Sequence, residues 1–290
     1  MNELTQDQID QFQRDGFLNA GPILSEEEVS ALSDELDRVL EIGPNGFADG
    51  DPQPVLFRDL NKGGDEAYKT AGPNPVWQIV NIWEASPSFK ELLHHAFIVK
   101  AINQLTGFPD LQVWHDQVQH KPAEAGGATG WHQDAPLWPS IDPDTPVSAW
   151  IPFDDADIEN GCMWMVPGSH LWGNKIEHLN TQLHLTQLPE FQNVAPSDPS
   201  QKIEARACPV KRGEVHFHHS LTWHGSPENH STRTRRALAI HYMNSEAVYT
   251  GQAHPMSEFI SLGEGELMRN AGPHFPTVCV NGEPAPCVAA

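Results

Sequence analysis

Apolar residues recur every three or four positions between residues 29 and 40, which is the spacing of one buried face of an α-helix. Ser25 and Glu28 form a capping-box pattern directly before this stripe, and Gly43 follows it. The pattern therefore predicts a helix that starts after Ser25 and ends before Gly43. Two further helices are predicted. A short one begins at a second capping box, formed by Thr5 and Gln8, and runs through Phe12, and a longer one follows the helical periodicity of residues 87–105.

The rest of the chain carries short apolar runs separated by turn residues, as β-strands do. The predicted strands are residues 111–119, 147–153, 162–166, 215–219 and 236–243. Helices followed by many short strands favour a mainly β fold, in which flanking helices pack outside an antiparallel double sheet such as a jelly roll.

Three segments show no clear periodicity. Residues 43–75 are rich in Gly, Pro, Asp and Asn, residues 171–205 are polar, and the tail after Gly251 is rich in Pro and Gly. The first two are candidate lids over a site, and the tail is predicted to be irregular. No linker or repeat divides the chain. We therefore expect a single domain over residues 1–290, with helices over about 5–105 and a β core over about 106–250.

Composition narrows the classes of function. The formal net charge of −22 argues against nucleic acid or an anionic membrane as a partner, because both bind basic surfaces. No apolar run approaches the roughly 18 residues of a membrane span, and no signal peptide is visible. The four cysteines show no CxxC spacing and suit free thiols in a reducing compartment. We therefore expect a cytoplasmic protein with a small-molecule substrate, while the sequence leaves the oligomeric state open.

Two separated segments carry candidate metal chemistry. His132 and Asp134 are two residues apart, so on a strand they project from the same face while Gln133 points away. His224 can supply a third ligand from a distant strand. Two imidazoles and one carboxylate, with open positions on one side of the metal, are the ligand set of non-haem Fe(II) oxygenases. Arg235 adds a planar cation that can hold a carboxylate with two hydrogen bonds.

Neighbouring residues leave alternatives open. His219 competes with His224 as the third ligand, because it also precedes the Gly225-Ser226 pair. Trp131 and Trp138 flank the His-x-Asp segment and are candidates for contact with an apolar substrate, although large aromatic residues are also common in sheet cores.

Several short motifs follow one another along most of the chain. They are Phe12-x-x-x-Gly16-Phe17, Ser25-Glu26-Glu27-Glu28, Leu105-Thr106-Gly107, His132-Gln133-Asp134, Trp150, Asn160-Gly161, Val166-Pro167-Gly168-Ser169-His170, and the segment from His219 to Arg236. Each motif alone is weak. In this order and spacing they resemble the phytanoyl-CoA dioxygenase family, whose members use Fe(II) and 2-oxoglutarate.

The resemblance implies a fold and a ligand set. The core is expected to be a double-stranded β-helix, which is a cupin-like jelly roll, with Fe(II) bound by His132, Asp134 and His224. His224 is preferred to His219 because it precedes Arg235 by eleven residues, which matches the family's spacing between ligand and arginine. His219 is then expected to line the pocket or to support the ligands.

The resemblance also implies the cosubstrate site. Arg235 and Ser226 are expected to hold the distal carboxylate of 2-oxoglutarate, and Gln117 and Trp150 to line its pocket. The resemblance further implies that, with O2 as the oxidant, 2-oxoglutarate is converted to succinate and CO2 while an unactivated C–H bond of the substrate is hydroxylated. One departure from the family is that no lysine lies near Ile79, where some members use one to bind 2-oxoglutarate.

Asp134 distinguishes between possible reactions. Related halogenases have Gly or Ala at this position, which frees a coordination site for chloride, so hydroxylation is expected here rather than halogenation. Two other classes stay open, a metal-dependent β-barrel isomerase or hydrolase and a 2-oxoglutarate-binding sensor without turnover. The identity of the substrate does not follow from the sequence.

Overall fold

The computed structural model of the chain describes residues 3–60, 76–124, 127–143 and 146–287. Five α-helices lie in this part of the chain: α1 Gln6–Asp15, α2 Glu26–Ile42, α3 Pro87–Leu93, α4 Ala96–Thr106 and α5 Ile176–Asn180. None of the helices in these ranges combines the length and the apolar character needed to cross a membrane.

Both predicted capping boxes are present. The Thr5 hydroxyl accepts a hydrogen bond from the Gln8 backbone N–H while the Gln8 side chain accepts one from the Thr5 backbone, and Ser25 and Glu28 do the same at the start of α2. The helix predicted to end before Gly43 does so. The periodic segment over residues 87–105 is two helices, α3 and α4, separated by two residues.

Fifteen strands lie in the same described ranges. They are β1 Phe17–Pro22, β2 Leu56–Asp59, β3 Trp77–Val80, β4 Leu111–Lys121, β5 Thr129–His132, β6 Ile141–Asp142, β7 Val147–Pro152, β8 Met163–Met165, β9 Arg206–Cys208, β10 Glu214–His219, β11 His224–Ser226, β12 Arg235–Asn244, β13 Val248–Tyr249, β14 Thr277–Val280 and β15 Glu283–Pro284. The five strands predicted from the sequence correspond to β4, β7, β8, β10 and β12.

The strands form two main antiparallel sheets. The large sheet has nine strands, with β1-β10-β7-β12-β4-β14-β15 in order and β3 and β2 added beside β4. The small sheet has four strands in the order β5-β11-β8-β9. Strands β6 and β13 form a separate pair. The expectation of a mainly β, double-sheet fold with flanking helices is confirmed.

Side chains on the large sheet alternate between two environments. Leu238 and Ile240 of β12 belong to a hydrophobic cluster with Leu36 of α2 and Ile98 of α4, so the helices cover this outer face. Ala239, next to Leu238, belongs to a second cluster with residues of the small sheet, so the inner face is turned toward that sheet. The space between the two sheets holds the candidate site.

Two predictions about irregular segments are wrong. The tail after Gly251 forms β14 and β15, and β14 pairs with β4, since Val278 and Cys279 are buried in the outer cluster despite the surrounding Pro and Gly. Within the segment at 43–75, residues 56–59 form β2, and residues 61–75 lie outside the described part of the chain. The predicted limits of the β core, about 106–250, are therefore too narrow, because β1, β2, β3 and β14 join the same sheet.

Candidate active site

Three metal-binding side chains converge between the sheets. His132 ends β5 and His224 begins β11, and the two residues are direct cross-strand partners. One Asp134 oxygen, Oδ1, lies 3.5 Å from Nε2 of His132 and 3.5 Å from Nε2 of His224. The ligand atoms of all three residues lie within 4.8 Å of one another. The predicted triad is therefore a group that can hold one metal ion.

Backbone carbonyls orient the imidazoles of His132 and His224. Nδ1 of His132 lies 2.8 Å from the Gly130 carbonyl oxygen, and Nδ1 of His224 lies 2.9 Å from the Thr222 carbonyl oxygen. Because a carbonyl only accepts, each Nδ1 carries the proton and donates it, which leaves the Nε2 lone pair free for a metal.

Asp134 is positioned differently from the expectation. It lies beyond the end of β5 with helical backbone angles (φ −74, ψ −50), not on the same strand face as His132. Its backbone N–H donates to the Ser220 carbonyl oxygen, and the side chain of Gln133 points away and bonds the carbonyls of Gly173 and Leu221. A turn held by these bonds, rather than strand alternation, brings the carboxylate to the two imidazoles.

The environment favours the charged form of Asp134. Burial opposes ionisation, but the contacts of Asp134 with the surrounding imidazoles, which include the Nε2–H bond from His218 to Oδ2, outweigh burial and hold the pKa of this carboxyl well below its usual range. A carboxylate that stays ionised is the form that binds a metal.

His218, not His219, supports the ligands. Nε2 of His218 lies 3.2 Å from Oδ2 of Asp134, and the ring is buried. His219 is the next residue on β10, so its side chain points to the opposite face, where Nδ1 accepts the Leu221 N–H and the ring faces His170. These contacts place His219 away from the triad, which corrects its expected role in the pocket. Strand alternation over 214–219 was the signal that could have selected His218.

Three of the residues assigned to the cosubstrate lie next to the triad. Gln117 of β4, Trp150 of β7 and Ser226 of β11 line a cavity of about 60 Å³ together with the three candidate ligands. They come from both sheets, so the cavity is the gap between the facing sheets. The structure brings together residues that are up to 109 positions apart in the sequence.

Arg235 lies in an adjoining cavity of about 20 Å³, which shares Gln117 with the first. Its side chain is buried, and its guanidinium stands 5.6 Å from the Trp150 ring. Nη2 makes a long bond of 3.4 Å to the Gly161 carbonyl, while Nε and Nη1 have no hydrogen-bond partner among the described residues. Burial lowers the pKa of Arg235 to about 10, so the guanidinium remains charged at neutral pH. A buried cation with two unused donors fits a carboxylate ligand.

Sequence reasoning missed the lysine that lies beside Arg235. Lys121 of β4 is the cross-strand partner of Arg235, and its Nζ donates to the carbonyls of Ser226 and Pro227 at 3.2 and 2.7 Å. Ile79, where some family members have a lysine, is fully buried in the outer cluster. A lysine is therefore present at this end of the site, on a different strand from the one expected.

A larger cavity of about 580 Å³ adjoins the triad and shares His132, Leu137 and Trp138 with the small one. Trp138 lines both cavities, and its contact with a substrate stays a prediction. Trp131 also borders the large cavity, but its ring is fully buried, stacks on Phe191 and donates Nε1–H to the Phe191 carbonyl, so its main contacts are core contacts. The tail adds His254 and Met256 to the wall, which sequence reasoning did not foresee.

Comparison with known proteins gives a consistent result. The model of the phytanoyl-CoA dioxygenase (PhyH) family matches residues 12–237. Peroxisomal phytanoyl-CoA dioxygenase of Rattus norvegicus is 24% identical over 283 residues, which cover 91% of this chain and 77% of that protein. Ectoine dioxygenase of Bordetella parapertussis is 27% identical over 253 residues, which cover 84% and 76%.

Solved structures share the fold. SnoK, a non-haem α-ketoglutarate-dependent carbocyclase from nogalamycin biosynthesis, matches with a TM-score of 0.72 at 26% identity and covers 94% of this chain and 96% of its own. EctD from S. alaskensis, solved with bound Fe, matches with a TM-score of 0.61 at 20% identity and covers 82% and 76%. The expected double-stranded β-helix is confirmed by these likenesses and by the facing antiparallel sheets.

Proposed function

The chain belongs to the phytanoyl-CoA dioxygenase family, and from that membership we propose that it is an Fe(II)- and 2-oxoglutarate-dependent dioxygenase. In this proposal it hydroxylates an unactivated C–H bond of a small molecule and releases succinate and CO2. The observation that carries the proposal is the convergence of His132, Asp134 and His224, whose ligand atoms lie within 4.8 Å of one another.

The ligand set fits ferrous iron. His132 and His224 each donate a hydrogen bond from Nδ1–H to a backbone carbonyl, which fixes the ring and leaves Nε2 free for a metal. Asp134 supplies the negative charge, and three protein ligands leave open positions for a cosubstrate and O2. Iron with 2-oxoglutarate and O2 supplies the oxidising chemistry, and the protein supplies ligation, orientation and the exclusion of water.

Arg235 fits the distal carboxylate of 2-oxoglutarate. Its Nε and Nη1 are unpartnered among the described residues, and either can form a two-bond fork to a carboxylate together with Nη2, which makes only a long bond to Gly161. Trp150 packs beside the guanidinium. Gln117 and Ser226 line the space between Arg235 and the triad and offer polar groups to the bound cosubstrate. Lys121 braces β11 through the bonds of its Nζ to two backbone carbonyls. Burial and the neighbouring Arg235 guanidinium lower the pKa of Lys121 well below its usual value, so Arg235 is the cation assigned to the carboxylate.

The large cavity is the proposed substrate site. It borders His132 directly, so a molecule held there would lie beside a metal bound by the triad. A second outcome, ring closure in place of hydroxylation, is favoured by the likeness to the carbocyclase SnoK at 26% identity. Both outcomes begin with oxidation of a C–H bond at the same centre.

Succinate formation tests the proposal. Wild-type protein with Fe(II), 2-oxoglutarate and O2 should produce succinate, and Asp134→Ala should abolish it because the metal loses its carboxylate ligand. His219→Ala, which removes a histidine on the other face of β10, should retain it. An isomerase, a hydrolase or a sensor would yield no succinate with any substrate, and that result would reject the proposed activity.

The same assay tests the cosubstrate site. Arg235→Lys keeps the charge but loses the paired donors, so the KM for 2-oxoglutarate should rise, by about tenfold or more. Arg233→Lys is the matched control, because Arg233 is exposed and bonds Asp157. Equal KM values for the Arg235→Lys variant and the wild type would contradict the assignment of Arg235.

A further inference from the structure

The large cavity has a charge balance unlike that of the rest of the molecule. The chain carries 39 acidic and 17 basic residues. Among the described residues that line this cavity of about 580 Å³, none is Asp or Glu, and Arg58 is the one with a fixed positive charge. The nearby carboxylate of Asp134 belongs to the adjoining small cavity, where it faces the two ligand imidazoles.

Much of the wall is apolar or aromatic. Leu56, Val80, Leu137 and Met256 line it, and Leu137 is 43% exposed although it is a large apolar residue. His115 stacks against His254 at 5.9 Å between ring centroids and meets Trp138 edge-on at 5.8 Å. These three rings give the cavity an aromatic wall against which a ring-containing molecule can pack.

The two imidazoles of this wall add no charge at neutral pH. Burial lowers the pKa of His254 to about 4, and burial together with the neighbouring imidazoles of His241 and His254 lowers that of His115 well below its usual value. Arg58 is exposed at the rim, where its Nε donates to the Gln78 amide oxygen at 2.6 Å. A ligand therefore meets one fixed cation and no carboxylate among the described residues of the wall.

We propose that this cavity selects uncharged or singly anionic, ring-containing small molecules, and rejects both cations and polyanions such as acyl-coenzyme A thioesters. The inference rests on the proposed function, because it takes this cavity as the substrate site. A cation entering the cavity would lose water and find no carboxylate in the described wall. A coenzyme A thioester brings several phosphate charges, and one arginine on a protein of net charge −22 cannot balance them.

Matched fluorescent probes test the charge preference. N-phenyl-1-naphthylamine is neutral, 1-anilinonaphthalene-8-sulfonate carries one negative charge, and dansylcadaverine carries one positive charge. Each is titrated into the full-length protein under argon, first metal-free and then with Fe(II) and 2-oxoglutarate. The neutral and singly anionic probes should saturate, dansylcadaverine should bind at least about tenfold more weakly, and decanoyl-coenzyme A should fail to displace the bound probes.

Paired variants locate the binding. Leu137→Glu places a carboxylate in the cavity and should weaken the sulfonate probe by about tenfold or more, because like charges repel. Leu171→Glu is the matched control, since Leu171 is 72% exposed and does not line this cavity. Arg58→Gln should weaken binding of the sulfonate probe and leave binding of the neutral probe unchanged. Arg233→Gln should change the binding of neither probe.

Several results would overturn the inference. Decanoyl-coenzyme A could displace the probes at similar concentration, or dansylcadaverine could bind more tightly than the sulfonate. The neutral and anionic probes could fail to show saturable binding, or Leu137→Glu and Leu171→Glu could weaken binding of the sulfonate probe equally. Succinate formation by the same protein is a separate readout of the proposed function. A protein that forms succinate but shows one of these results keeps its proposed activity and loses the proposed selectivity.

Discussion

Asp134 presents its two carboxylate oxygens to different partners. Oδ1 faces the Nε2 atoms of His132 and His224, and Oδ2 lies 3.2 Å from Nε2 of His218. Because a carboxylate only accepts, Nε2 of His218 carries the proton and donates it. This bond fixes the rotation of the carboxyl group, so His218 is a positioning residue for the metal ligand.

Replacing His218 should therefore weaken metal binding without touching a ligand. We expect His218→Phe to raise the Kd for Fe(II) by about 10–100-fold, and His218→Gln to recover part of the loss by restoring an N–H donor. The measurement is an anaerobic Fe(II) titration of the full-length protein, with Tm recorded for each variant.

His216→Phe provides the matched control for His218→Phe. His216 lies two residues away on the same face of β10, is equally buried, and neither ring nitrogen has a hydrogen-bond partner among the described residues. If His216→Phe weakens Fe(II) binding as much as His218→Phe does, the effect comes from packing, and the positioning role of His218 is wrong.

The sequence predicted the triad but not its support. His132 and Asp134 could be selected from residue type and spacing, whereas His224 was preferred to His219 because its distance from Arg235 in the sequence matches the phytanoyl-CoA dioxygenase family. The bond from His218 to Asp134 joins residues 84 positions apart and depends on the register of β10 against β7. Strand alternation separates His218 from His219, but the register decides which of the two faces is turned to the site, and the local sequence does not encode that register.

At the scale of elements, β11 is confined on both sides. It pairs with β5 through His224 and His132, and with β8 through Gly225 and Trp164. A Cβ on Gly225 would lie 2.9 Å from the Thr129 carbonyl oxygen and 2.9 Å from Cζ of Phe191. Backbone atoms of β5 cannot move aside cheaply, so any side chain at residue 225 would displace β11.

Gly225→Ala should disturb both stability and the metal centre. Overpacking of this kind costs about 1–3 kcal/mol, so the free energy of unfolding in urea should fall by that amount. The Kd for Fe(II) should rise as well, because His224 is the adjacent residue. Gly263→Ala is the control, since its Cβ would meet only the end of the Glu266 side chain, at 3.4 Å. Unchanged Fe(II) binding in Gly225→Ala would show that β11 tolerates the displacement.

Elements differed in how well the sequence encoded them. Helices α1 and α2 carry complete capping boxes, so a few neighbouring residues were enough to predict where each helix begins. Strands β5 and β11 have four and three residues and exist through their pairing with each other, which leaves little periodic signal. Strand β14 pairs with residues more than 160 positions earlier, at Gln112 and Leu111, and its Pro- and Gly-rich surroundings concealed it.

At the scale of the whole molecule, the jelly-roll fold followed from the resemblance, whereas the order of strands in the sheets did not. A consequence of that order is that many histidines are enclosed in the fold. Burial lowers the pKa of His120, His219 and His254 to about 4 and that of His241 to about 3. In an unfolded chain a histidine titrates near pH 6.5.

These depressed pKa values make acid destabilise the fold. Above about pH 6.5 both states are unprotonated at these sites, so stability is fully present there. As pH falls from about 6.5 towards 4, the unfolded chain takes up protons that the folded protein excludes, and stability is lost. Each such histidine contributes up to about 1.4 kcal/mol per pH unit within that window.

Urea unfolding of the metal-free protein measures this loss of stability at pH 7.5, 6.5, 5.5 and 4.5. Buffers of equal ionic strength set the pH. The free energy of unfolding should decline steeply below pH 6.5. His120→Gln removes one excluded proton, so its decline should be shallower by about 1.4 kcal/mol per pH unit. His184→Gln is the control, because His184 is exposed and its surroundings change little on unfolding. The free energy of unfolding of His120→Gln could instead fall with pH as steeply as that of the wild type. That result would mean that His120 titrates in the folded protein as it does in the unfolded chain.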